Sequence, residues 1–511
     1  MKKRLIISLI IFLLCISILI GCYVIIKGKN VEKFSNIQIV DCYEKEIENY
    51  KENKKSFTIN VQNKKQKIKV NGKKYENNER FYEVGEYKIE SIQGLKKEVA
   101  TININDIDNS KKQEYDIYIT TSTLPTFMAM LDMAGKDEVQ GFFWTQRATS
   151  LNLDSIKNHT KNLKISEHIG NPKEYDFKTK VIPEIKEYIK NVLEKDEDAY
   201  FNLYVDDYRF YLDVELFGKI GLRDNRYTYY LYTDGTSSYT TDFKIGNIYS
   251  HKEYRIREKD SYNDFEKEKN DYFELIDKIR SNQYQYNNMP GSYMVEDDGD
   301  TYIYDYMLLA ALRKNVKFMI QFPQLIHFED ERVAEEMKEA NFIKIDLREQ
   351  YQNLSMEGKE ILLESIKLNK NELDKEYFVD ENSTKYLIIT GTKPYYGDFT
   401  QKDFEKIIKD ITEKYGKDYT ILYKPHPSEI PDEEKESFLN SINIKVLPGK
   451  IPIEAIMFVY PTVKIGGFVS SLYLSAEEGQ TLFFFAENKE KLVTPLNDLY
   501  DSVFYNAEFY N

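Results

Sequence analysis

Tyr419-Thr420-Ile421-Leu422-Tyr423-Lys424-Pro425-His426-Pro427 reads as a buried β-strand that runs straight into a polar turn. Three other stretches have the same shape: Tyr227 to Tyr232 before Thr233-Asp234-Gly235, Tyr386 to Ile389 before Thr390-Gly391-Thr392, and Thr462 to Ile465 before Gly466-Gly467-Phe468-Val469-Ser470-Ser471. Short apolar runs with turn residues at their ends are the pattern of a parallel sheet covered on both faces. In open α/β sheets, ligands gather beyond the carboxyl ends of the strands, where all four polar segments fall.

Working outward, strand and helix patterns alternate from Tyr115 onward. Asp116 to Thr121 reads as a strand, Leu124 to Ala134 as a helix with Pro125 in its first turn, Val139 to Phe143 as a strand and Pro183 to Leu193 as a helix. Tyr200 to Val205 then reads as a strand and Phe210 to Ile220 as a helix. A second α/β unit starts near Lys385, with a helix at Phe404 to Lys414, a helix from Ser470 and a strand at Thr481 to Phe485. The highly charged run Arg255 to Lys278 reads as a solvated insertion, and Tyr377 to Ser383 as a hinge. Before these units, residues 31–107 show short alternating runs (Ser56 to Val61, Gln66 to Val70, Arg80 to Val84, Tyr87 to Ile92) with turn signals at Asn71-Gly72 and Gly85, the pattern of a small immunoglobulin-like β-sandwich.

Met-Lys-Lys-Arg precedes an apolar run from Leu5 to Ile26, 22 residues that are long enough to span a bilayer. The basic start favours a cytoplasmic N-terminus with the rest outside. Leu19-Ile20-Gly21-Cys22 also fits a bacterial lipobox, so Cys22 is a candidate for lipidation and the anchor is either a lipid or an uncleaved helix. The formal charge of −14 argues against a nucleic-acid surface. Of three cysteines only Cys42 lies past the apolar run, which excludes a disulfide framework or a cysteine-rich metal site there.

The polar segments carry the chemistry. Gly466-Gly467 would let the backbone approach a ligand closely, and Ser470-Ser471 at a helix start would offer hydroxyls and free N–H groups to an anion; ordinary serine capping gives the same pattern. His426 is one of five histidines, and its flanking prolines restrict the backbone around a ring suited to stabilising a leaving phosphate. Lys424 adds positive charge beside it. Asp234 at a strand end suits a general base, although Asp-Gly is also an ordinary turn. Glu454 is an acid within the apolar stretch Ile451 to Ala455, where either ribose hydroxyls or a structural salt bridge would satisfy it. Asp206-Asp207 reads as helix-start carboxylates and Asp297-Asp298-Gly299 as a solvated loop, so the chemistry needs no metal ion.

Taken together and in order, residues 115–487 resemble the bacterial sialyltransferases that move sialic acid from CMP-sialic acid to galactosides. Ile119 to Met133 is similar to that family's opening strand and helix, and Tyr232 to Gly235 to its acidic-acidic-Gly motif, with Thr233 in place of the first acid. The resemblance implies a GT-B fold, two facing Rossmann-like domains, with bounds of 1–30 for the anchor, 31–110 for the β domain, 111–380 for the acceptor side and 381–511 for donor binding. It implies Asp234 as general base and His426 as the group that stabilises departing CMP. Gly391, Thr392, Lys424, Pro427, Glu454, Ser470 and Ser471 would bind CMP, and Tyr395 stands near the place of an acceptor-stacking tryptophan. Donor, galactoside-terminated acceptor and membrane are then the partners, with no cofactor and no nucleic acid. An enzyme anchored on the outer face would need its nucleotide sugar supplied there, or an anchor inserted in the opposite sense. The alternatives are a transferase or donor hydrolase for another CMP-activated acid sugar, or a non-catalytic carbohydrate-binding surface lipoprotein on the same scaffold.

Overall fold

A computed structural model of the chain describes residues 28–61, 63, 65–76, 79–160, 162–170, 176–210, 212–240, 304–326, 331–379, 384–392, 400–427, 429 and 432–510, together with 15, 16 and 277. Cys22, almost all of the apolar N-terminal run, the charged stretch Arg255 to Lys278 save Asp277, Asp297 to Gly299, residues 380–383 of the expected hinge and Tyr395 lie outside these residues. Among the described residues no helix is long and apolar enough to cross a membrane. The chain forms two compact units.

The first unit holds the N-terminal β body, joined by Lys186–Tyr200 and Asp213–Arg226. Its larger sheet has five strands, and a second pairs Ile37–Val40 with Thr58–Val61 antiparallel. Alternation explains the faces. In Lys67-Ile68-Lys69-Val70 the lysines are exposed while Ile68 and Val70 are buried with Ile37, Ile39, Phe57, Ile59, Ile89 and Ile102 in one core. Asn71 and Gly72 both take positive φ, 49° and 81°, closing a two-residue hairpin between Val70 and Lys73 as the Asn-Gly signal predicts. Arg80 to Val84 is not a strand. Only Phe81 packs on the core, bridging to Phe57, while Val84 is exposed, so the run lacks the two-sided alternation a strand needs. The expected helix at Phe210 to Ile220 is also broken, into Leu212–Leu216 and a 3₁₀ turn at Gly218–Ile220, which Gly221 ends in the left-handed region at φ 68°.

The second unit contains two parallel sheets. The first comprises β1 (Glu114–Thr120), β2 (Gln140–Thr145), β3 (Asn162–Ile165), β4 (Tyr200–Asp206), β5 (Tyr227–Tyr232), β6 (Val316–Ile320) and β7 (Phe342–Lys344), in the order 3-2-1-4-5-6-7. The second comprises β8 (Tyr386–Thr390), β9 (Thr420–Lys424), β10 (Lys445–Val446), β11 (Lys464–Gly467), β12 (Thr481–Phe485) and β13 (Glu508–Tyr510), in the order 10-9-8-11-12-13. Both are doubly wound sheets whose order reverses beside the first strand, β1 or β8, which opens a crevice at the strand ends. Helix α1 (Thr123–Ala134) follows β1, α2 (Leu347–Asn353) follows β7, α3 (Gln401–Tyr415) follows the turn after β8, and α4 (Ile453–Val459) precedes β11. Thr400 caps α3 in a capping box with Asp403, and Phe404, Ile407, Ile408 and Ile411 form its buried stripe against Leu387, Ile389 and Ile421.

The central strands leave no space between neighbours. A β-carbon on Gly466 would lie 2.6 Å from the Phe483 ring, and one on Gly467, at φ 134°, would lie 2.5 Å from Thr390 O. Gly466→Ala therefore should destabilise the unit by about 1–3 kcal/mol through overpacking, read as a lowered thermal midpoint.

Candidate active site

Each polar segment leaves the carboxyl end of a parallel strand. Thr121 to Thr123 follow β1, Asp206-Asp207 end β4, Asp234 follows β5, Gly391 follows β8, His426 follows β9 and Ser470-Ser471 follow β11. The two crevices meet. At Gly235, φ 98°, an added β-carbon would lie 2.3 Å from Ser471 Cβ, so the acidic-glycine turn rests directly against the twin-serine turn. Beside this contact Thr123 and Leu124 from the first sheet, and Thr390, Gly391, Lys424, His426, Pro427, Glu454, Ser470 and Ser471 from the second, line one cavity of about 100 Å³. It adjoins a second, of about 390 Å³, through Pro425, His426 and Pro427.

On the first-sheet side three carboxyl groups gather. Asp206 is fully buried and accepts from the amides of Thr121 and Ser122 at 2.7 and 3.0 Å, which fixes the start of α1. Burial pushes it up to about 6, against the pull of those amides and of Arg209. Asp207 accepts from the Asp234 amide at 3.3 Å and from the Ser238 hydroxyl, and burial raises it to about 7. Asp234 is half-buried. Burial, then Asp206 and Asp207, hold its carboxyl well above the ordinary aspartate range, opposed by the Ser122 hydroxyl and Arg147. Asp206 and Asp207 do open a 3₁₀ turn, Asp207–Arg209, where Asp207 Oδ1 accepts from the Tyr208 amide at 2.8 Å. Asp206 also holds the amides just before α1 and Asp207 the Asp234 turn, pairings that no local spacing signals.

On the second-sheet side Lys424 is buried, with Nζ 3.0 Å from Pro425 O and 2.8 Å from Gly449 O. Burial lowers its ammonium to about 8, against the attraction of Glu454 and Glu429. Glu454 is buried in the first turn of α4, its carboxyl raised by burial and lowered by its own backbone amide and by Lys424. It makes no ion pair within 4.0 Å among the described residues, which leaves it facing the cavity without a salt bridge. His426 is half-buried; its amide donates to Glu429 at 3.0 Å. Glu429, which sequence reasoning missed, also accepts from Tyr423 Oη at 2.9 Å and Lys435 Nζ at 2.8 Å, so one carboxylate fixes the whole His-Pro turn. A β-carbon on Gly391 would strike Glu429 Oε2 at 2.4 Å. Thr392 is half-buried beside it.

Within the sheet itself Gly466 and Gly467 are already required by Phe483 and Thr390. One expectation changes here. Ser470-Ser471 open a 3₁₀ turn, Ser471–Ser475, and not an α-helix, because the chain turns extended at Ala476 on its way to β12. Their hydroxyls then matter more than any helix dipole, and neither caps the turn. Its far end is tied to the first sheet's side: Arg348 of α2 donates to Ser475 O at 3.3 Å and to Gln480 Oε1 at 3.0 Å, and Gln321 to Ser475 Oγ at 3.0 Å. Among the described residues no three His, Cys, Asp or Glu side chains are grouped to hold a metal ion.

Residues 326–505, which span β7 and the second sheet through β12, match the family model described as sialyltransferase PMO188. That stretch is therefore similar to the sialyltransferase PMO188 family over about a third of the chain. The chain is a glycosyltransferase of the sialyl-transferring kind. The fold is that of the α/β-galactoside α-2,3-sialyltransferase from Photobacterium phosphoreum, at 13% identity and TM-score 0.53, covering 78% of this chain and 98% of that one. It is also that of a Photobacterium 2,6-sialyltransferase solved with CMP and lactose, at 15% identity and TM-score 0.51, covering 94% and 95%. Both likenesses give the GT-B architecture. No curated protein sequence matches the chain.

Glu429→Gln keeps the side chain's shape but removes the charge that pairs with Lys435 and offers one acceptor oxygen where two were used. It should lower stability by about 1–3 kcal/mol in a denaturant melt.

Proposed function

We propose that the chain is an inverting, metal-independent transferase that moves sialic acid from CMP-sialic acid to a hydroxyl of a terminal galactoside. The apposition of the Asp234-Gly235 turn with Ser470-Ser471 beside a shared cavity carries this reading. Asp234 takes the proton of the acceptor hydroxyl while that oxygen attacks the anomeric carbon. The bond to the CMP phosphate oxygen breaks from the opposite face, and the configuration inverts. The raised proton affinity of Asp234 suits this step, since a base is most effective when its pKa lies near the working pH. The hydroxyls of Ser470 and Ser471 and the His426 ring stabilise negative charge on departing CMP. Glu454, buried and without an ion pair, accepts from the ribose hydroxyls, with Lys424, Gly391, Thr392 and Pro427 completing the nucleotide pocket. Tyr395 contacts the acceptor. The N-terminal β body is an immunoglobulin-like spacer or docking module, and the apolar run before it, through Cys22 or as a helix, holds the enzyme at the membrane.

Asp234→Asn should keep CMP affinity in calorimetry while transfer from labelled CMP-sialic acid to lactose falls by about two to four orders of magnitude. Turnover equal to the parent's would remove Asp234 from this role. Because the base must be unprotonated and its pKa is raised, the acidic limb of the rate profile should lie well above pH 4, the ordinary range for an aspartate. Chelation with EDTA should leave transfer unchanged; loss of activity restored by a divalent ion would contradict metal independence.

A further inference from the structure

Asp207 is used by nothing in the mechanism above, yet it is 2% exposed and lies on the segment that leaves β4 beside the base. Its Oδ2 accepts from the Asp234 amide at 3.3 Å and from the Ser238 hydroxyl. The Ser238 oxygen in turn accepts from Thr233 Oγ1 at 2.6 Å, and Thr233 Oγ1 accepts from the Gly235 amide at 3.2 Å. One carboxylate oxygen thus pins the acidic-glycine turn at both its ends, through a chain of hydroxyls in which each bond polarises the next. We infer that Asp207 is a positioning residue for the transfer, fixing the direction of the Asp234 carboxylate and placing a second titratable acid beside it. This inference rests on Asp234 being the base.

Geometry alone does not require an acid at this position. Asparagine would offer one oxygen to the same amide and hydroxyl, without the cost of a buried carboxylate next to two others. What only the acid supplies is a carboxyl that gains negative charge as the pH rises through about 7. Among the described residues the charged and titratable groups facing Asp234 are Asp206 at the end of β4, Asp207 and Tyr208 after it, and Arg147 after β2, with the Ser122 hydroxyl at the start of α1. Asp206 is committed to the amides of α1, whereas Asp207 is bonded to the turn that carries the base. A negative neighbour disfavours loss of the Asp234 proton, so the base binds the proton it removes more firmly.

Asp207→Asn in the full chain tests this. At neutral pH kcat should fall about tenfold with the KM for CMP-sialic acid within about twofold, because proton removal is impaired and donor binding is not. Removing the neighbouring charge lowers the pKa of Asp234, so the acidic limb of the kcat profile should move down by about half to one pH unit. A purely structural role would lower the amount of folded enzyme without moving that limb. A folded Asp207→Asn enzyme with an unmoved limb and kcat within about twofold of the parent overturns the inference. Should that variant fail to fold, Ser238→Ala, which removes one of the two donors to Asp207, is read the same way: a several-fold lower kcat at unchanged donor KM supports it, and parental kcat overturns it. The controls separate this from the reading beneath it. A parent that transfers and an inactive Asp234→Asn beside a normal Asp207→Asn defeat the positioning role alone, whereas a fully active Asp234→Asn defeats the base assignment itself.

Discussion

Gly235 has no room for a β-carbon because Ser471 lies where it would stand. That contact between a turn of the first sheet and a turn of the second converts two separate crevices into one site, and the rest of the chemistry depends on it. Each doubly wound sheet by itself offers only the generic concavity at its strand ends. Brought together, they set the Asp234-Gly235 turn against the twin-serine turn, whose first serine makes no side-chain cap. The approach is kept by Arg348 and Gln321, which bind the far end of the serine turn from the side of the first sheet. A shift of a few ångströms there would part the Asp234-Gly235 turn from the twin serines, and with it the advantage that the proposed reactants draw from being positioned together.

The two sides of the cleft solve opposite electrostatic problems. Beneath Asp234, burial and like charges push carboxyl groups toward neutrality, with Asp206 and Asp207 kept in place by amide and hydroxyl donors. Around His426 and Glu454, a buried lysine held by two carbonyl oxygens and attracted by two glutamates keeps positive charge near the cavity. The proposed transfer uses that contrast, a proton taken up on one side and an anion stabilised on the other.

Much of this arrangement is legible in the sequence because buried parallel strands are short, nearly continuous apolar runs that end abruptly in polar residues. Tyr227 to Tyr232, Tyr386 to Thr390 and Thr420 to Lys424 show this directly, and their turns carry Asp234, Gly391 and His426. Local patterns fail where the partner is distant. Asp206 and Asp207 open their own 3₁₀ turn as their spacing suggests, but they also serve amides after β1 and β5, which it does not. Glu429 is unremarkable three residues after His426 until Tyr423, Lys435 and the His426 amide close on it. Gly466 and Gly467 have the look of a ligand loop, yet a phenyl ring and a strand carbonyl are what exclude larger residues there. The helix from Ser470 shrinks to a 3₁₀ turn for a similar reason, since the path to β12 decides its length and not its own propensity.

The claim beneath all of this is that one bound nucleotide touches both sheets' turns at once. A crystal structure of the full chain with CMP tests it most directly. The account predicts the phosphate on the hydroxyls of Ser470 and Ser471, the ribose on Glu454, and Asp234 across the cleft on the phosphate's open side. A phosphate bound away from the serine turn, with Asp234 turned from the ligand, would contradict it.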